Sequence, residues 1–101
     1  MKLRDVVDDL PVLDEALCIV AKRPWSPACE VQVVPFTPEY RVPQSVLDSG
    51  YEYFLEVGTA RDDVLKGMDF LSPEESVEVL LYYAEHDAFP EWLNELCRRR
   101  S

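Results

Sequence analysis

The chain has little of what most catalytic and metal-binding motifs are made from. Its 101 residues include only three glycines, Gly50, Gly58 and Gly67, each isolated. No glycine-rich loop can therefore cradle a phosphate. A single histidine, His86, excludes His-x-x-His and His-Glu-x-x-His metal spacings. Three cysteines, Cys18, Cys29 and Cys97, stand at unrelated spacings with no Cys-x-x-Cys. They make no zinc site and read as reduced, mostly buried thiols. Bases are scarce, with ten Lys and Arg against twenty Asp and Glu. Direct nucleic-acid binding, which sets Lys and Arg against phosphate, is excluded on that balance. No apolar run approaches the length of a membrane span. The opening "MKLRDVVDDL" lacks the apolar region of a signal peptide. The expected setting is cytoplasmic, away from membranes, with no cofactor and no metal.

What is present is enough apolar material for one core. Apolar residues make up 48% and aromatics 11% of the chain. That composition and length describe a single folded domain over residues 1–101, rather than a disordered acidic tail. The formal net charge is −10 and is unevenly spread. Residues 1–42 carry seven acids and five bases, residues 43–97 thirteen acids and two bases, and Arg98, Arg99 and Arg100 close the chain. A field concentrated in one half steers a basic partner and raises its on-rate.

Leu3, Val6, Val7 and Leu10 recur at helical spacing, so residues 2–10 predict a short amphipathic helix that Pro11 ends or redirects. "EALCIVAK" (15–22) and "ACEVQVV" (28–34) read as two strands joined by a turn at Trp25. Residues 12–21 as a continuation of the first helix are the alternative. "PQSVLDSG" (43–50) reads as a helical turn stopped by Gly50. "YEYFLEV" (51–57) alternates, with Tyr51, Tyr53, Leu55 and Val57 on one side and Glu52, Phe54 and Glu56 on the other, which predicts a third strand. Thr59 is placed as the cap of a helix over 60–67 with Asp62 at its third position, and Gly67 ends it. Ser72, Pro73 and Glu75 carry a capping-box signature for a helix to about Asp87, and Pro90 opens a last helix. The fold class is α+β, with a small antiparallel sheet of about three strands and helices packed on one face.

The helix from Pro73 carries the candidate site. At about 100° per residue, Val77, Leu80, Leu81 and Ala84 form its core stripe, widened by Val79 and Tyr83. The remaining arc holds Glu74, Glu75, Glu78, Tyr82 and Glu85. Glu74 and Glu75 also suit a helix N-terminus. Glu78 and Glu85 have no Lys or Arg four residues on, and Asp62, Asp63 and Asp69 crowd the preceding segment. Like charges at such spacing cost a few tenths of a kcal/mol per pair, so their accumulation points to a cationic partner. The competing reading is a plain solvated face. "EHD" (85–87) makes no catalytic cluster, because consecutive helical residues diverge by about 100° and cannot meet at one atom. Trp92 is placed in the core with Leu93 and Leu96, Tyr82 is the exposed aromatic, and Trp25 is open to either role.

Trp25 between two strands, then Tyr82, Tyr83, Asp87, Ala88 and Phe89 in "LLYYAEHDAF", resemble small acidic bacterial immunity proteins encoded beside polymorphic or contact-dependent inhibition toxins. The likeness spans nearly the whole chain. This sequence departs from the pattern at His86 and at Pro90 directly after Phe89. The resemblance implies no catalytic residues and a non-enzymatic role. It implies a protein, a monomer or weak dimer, that binds and neutralises a cognate basic toxin domain, a nuclease above all. The expected contact residues are Asp62, Asp63, Asp69, Glu74, Glu75, Glu78, Tyr82 and Glu85. A nucleic-acid-mimicking inhibitor of a defence enzyme is the alternative.

Overall fold

Leu17–Lys22 (β1) is the central strand of an antiparallel sheet, flanked by Val31–Pro35 (β2) and Tyr51–Glu56 (β3). The computed structural model describes residues 1–100. β1 is apolar without alternation because both of its faces are covered: Cys18, Ile19, Val20 and Ala21 are all fully buried. Ile19 and Ala21 join the main core, whereas Cys18 and Val20 meet Tyr51 in a smaller cluster on the other face. The helical alternative for residues 12–21 is thereby replaced by strand from Leu17.

Three helices cover the main-core face. Leu3–Asp9 (α1) contributes Leu3 and Val6, and a tighter turn over Leu10–Val12 carries Pro11 and buries Leu10. Gln44–Asp48 (α2) is barely more than one turn and lies on the opposite face, where Val46 closes the small cluster with Phe36 and Val42. Gly50, at φ +93, reverses the chain into β3. Pro73–His86 (α3) supplies Val77, Val79 and Leu80 to the main core, and Glu91–Arg100 (α4) supplies Leu93. Burying each such side chain stabilises the fold by about 1.5–3 kcal/mol before entropy is counted.

Two expectations are corrected. β3 does not alternate throughout. Its register against β1 slips between Ile19 and Val20, so Phe54 is an extra residue in a bulge. Phe54 and Leu55 consequently both enter the main core, at 1% and 5% exposure, while Tyr53 and Tyr51 share the other side. The segment after β3 is also not an α-helix over 60–67. Thr59–Val64 is a wide helical turn closed by the Leu65 N–H on the Ala60 carbonyl at 3.0 Å, with no side-chain cap. Its positioning group is Arg61, which donates to the carbonyls of Leu10 (3.1 Å) and Leu13 (2.8 Å) and so ties the turn to the end of the α1 region.

Candidate functional site

α3 begins as its sequence dictates. The Glu75 N–H donates to Ser72 Oγ at 3.1 Å and the Ser72 N–H donates to Glu75 Oε1 at 2.9 Å, with Pro73 in the first turn. Glu75 is therefore a capping group. Asp87 ends the helix in a left-handed conformation at φ 53, its N–H bonded to the Tyr83 carbonyl.

The other acids divide by what holds them. Glu74 pairs with Arg4 at 3.1 Å across the α1–α3 contact. Glu85 pairs with Arg23, which also reaches Glu52 at 3.4 Å. Asp62 meets Arg61 at 3.3 Å. Glu78, Asp63 and Asp69 are exposed and have no ion pair among the described residues. Exposed pairs of this kind contribute about 0–1 kcal/mol each. Ten bases cannot match twenty acids one to one, so a strong negative excess faces solvent whatever the local pairing.

The predicted residues do not form one surface. Glu78, Tyr82 and Glu85 line a shallow, wide-open groove of about 330 Å³ with Leu81 of α3 and Trp92 of α4. Glu74 and Glu78 border a second hollow of about 190 Å³ with Arg4, Pro27, Pro73 and Val77. Asp69 lies elsewhere: with Arg61, Leu65 and Lys66 it borders a depression that meets α3 at Ser76. On the helix Ser76 stands about 160° round from Glu78. Asp69 and the groove therefore flank opposite edges of α3.

Trp92 corrects the sequence reading. Leu93 takes the core position at 2% exposure, while Trp92 is 36% exposed and forms the α4 wall of the groove. The spacing gave both residues to one face, but they stand about 100° apart on the helix, and the narrow contact of α4 with the core takes only Leu93. The pairing of an exposed Trp on α4 with an exposed Tyr on α3 depends on how the two helices pack, which no local pattern encodes. Tyr40 is a further exposed aromatic, at 85% exposure and φ 60. It sits at the tip of a turn closed by the Thr37 N–H on the Arg41 carbonyl at 2.8 Å.

Trp25 resolves the other way. It is half-buried, its Nε1–H donates to the Ala21 carbonyl at 3.3 Å, and it meets Phe54 edge-on at 4.9 Å between ring centroids. The Arg23 guanidinium lies over its ring, 3.5 Å from the centroid.

His86 and Asp87 are both exposed, and the His86 ring lies against Tyr82 with centroids 4.4 Å apart. Among the described residues no group of three His, Cys, Asp or Glu side chains is placed to hold a metal ion. Resolved titration shifts lie away from the groove. Burial, then the Glu56 charge, pushes the Cys18 thiol up to about 12. Burial, then Glu56, also raises the Tyr53 hydroxyl, and the Lys2 ammonium lowers the Glu30 carboxyl. No helix among the described residues is long and apolar enough to cross a membrane. Comparison with protein-family models, curated proteins and solved structures finds no match to this chain.

Proposed function

We propose that the chain is a non-enzymatic immunity or inhibitor protein that binds a cationic toxin domain, a nuclease before other classes, through the acidic and aromatic edge of α3. The observation that carries this reading is the α3/α4 groove. An unpaired carboxylate, Glu78, stands there beside two exposed aromatic side chains, Tyr82 and Trp92, on a chain of net charge −10. Tyr and Trp anchor protein interfaces more than other residues do, and the surrounding charge supplies steering. A nuclease active site is basic because its substrate is phosphate, and carboxylates can occupy the same positions through bidentate, charge-assisted bonds to arginine. A compact patch supports this reading over a mimic of nucleic acid, which needs carboxylates repeated along one face. Here Glu78 and Asp69 are on opposite edges of α3.

The test is co-expression with any basic domain found in the reading frames beside this chain's gene. Wild-type chain is expected to restore growth and to co-purify with that domain. Glu78→Lys is expected to lose protection, and Asp69→Lys to retain more of it. Failure of the wild-type chain to bind or protect overturns the proposal.

A further inference from the structure

We infer that the α3/α4 groove receives one arginine side chain of the partner, with the guanidinium against Trp92 and Tyr82 and paired to Glu78. This rests on reading the chain as a binder of a basic partner and specifies the group recognised. The groove is lined by Glu78, Leu81, Tyr82, Glu85 and Trp92, with no basic side chain among them. The lining combines one aliphatic side chain, two aromatic ones and two carboxylates, of which Glu85 is paired to Arg23 and Glu78 is not. That set of groups is complementary to a cation with a flat, weakly hydrated face and an apolar stem.

The molecule already contains such an arrangement one step away. Arg23 stacks on Trp25 at 3.5 Å and is gripped by Glu52 at 3.4 Å and by Glu85, the same Glu85 that borders the groove. An aromatic ring and two carboxylates thus hold an arginine of the chain itself. Trp92 and Glu78 repeat the aromatic ring and one carboxylate from α4 and α3 on an open surface, while Glu85 at its border is already paired to Arg23. Glu78 has no ion pair among the described residues and is free to supply the bidentate contact. Arginine fits better than lysine, because a guanidinium stacks on an aromatic face and sheds water more readily than an ammonium.

N-acetyl-arginine methylamide, titrated into the full chain and followed by NMR, tests the site. The expected result is saturable movement of the Trp92 indole N–H and the Glu78 and Tyr82 amides. Binding of the lysine analogue should be roughly three- to tenfold weaker, and the uncharged citrulline analogue should have no effect. Glu78→Gln should weaken the arginine probe by a similar factor without moving resonances of the β1 core. Equal response to arginine and citrulline, or shifts spread equally over Asp62, Asp63 and Asp69, would overturn the assignment. Its failure is separable from that of the wider reading. A chain that neutralises its basic partner but shows no groove response refutes the arginine site alone, and a groove response without any partner binding refutes the immunity role alone.

Discussion

Around Trp25 every group has a partner. Its ring meets Phe54, its N–H meets the Ala21 carbonyl, Arg23 covers its face, and Glu52 and Glu85 hold Arg23. Around Trp92 the aromatic wall is present and Glu85 is held by Arg23, but Glu78 has no ion pair among the described residues. The two tryptophans are thus similar residues in opposite states, one completed by the fold and one left open to solvent. The difference separates acids that serve the fold, Glu75 and Glu85 among them, from an acid such as Glu78 that the fold does not use.

Breaking the completed side should unfold the protein. Phe54→Ala removes a ring that is 1% exposed and supports Trp25, so a loss of about 3–5 kcal/mol is expected in urea unfolding. Arg61→Ala takes its donor from the Leu13 carbonyl and leaves the Leu10 carbonyl only the Leu13 N–H at 3.3 Å, and should cost about 1–3 kcal/mol in the same experiment. Arg23→Ala uncovers Trp25 and frees two exposed carboxylates, with an expected loss of about 1 kcal/mol. The open side should behave differently. Glu78→Gln has no partner to lose and should change stability by under about 0.5 kcal/mol while weakening partner binding. The smallest effect near neutral pH belongs to Cys18. Its thiol ionises at about 12 in the fold against 9.0 ordinarily, so the native state holds that proton more tightly than the unfolded chain does. Its share of stability is whole below pH 9.0 and fades as pH rises from there towards 12. At about pH 8, below the thiol's ordinary 9.0, a thiol reagent should label exposed Cys97 and spare Cys18 until the protein unfolds.

The parts of this structure that were legible in the sequence are those set by neighbours along the chain. The Ser72–Glu75 capping box, the burial of Val77 and Leu80, the turn at Gly50 and the three strands all follow from local chemistry. The bulge at Phe54 was hidden, because a register slip is a property of two strands and leaves the alternation of one intact. The wide turn over Thr59–Val64 was hidden too: its anchor, Arg61, reaches carbonyls some fifty residues earlier in the chain. The acidic stripe of α3 was read correctly as exposed at Glu78, Tyr82 and Glu85. Which of its carboxylates are held depends on Arg4 and Arg23, arginines that only folding brings near. The sequence of α4 alone points Trp92 inward, because the α3 surface it faces is brought to it only by folding.

Stopped-flow association with the basic toxin domain that the chain is proposed to neutralise, measured across ionic strength for wild type and Glu78→Lys, tests the central claim most directly. The expected result is a wild-type rate well above the ~10⁵–10⁶ M⁻¹s⁻¹ of unsteered encounter at low salt, falling as salt rises, and a slower, less salt-sensitive rate for Glu78→Lys. A wild-type rate that is independent of salt and unchanged by the reversal would contradict it.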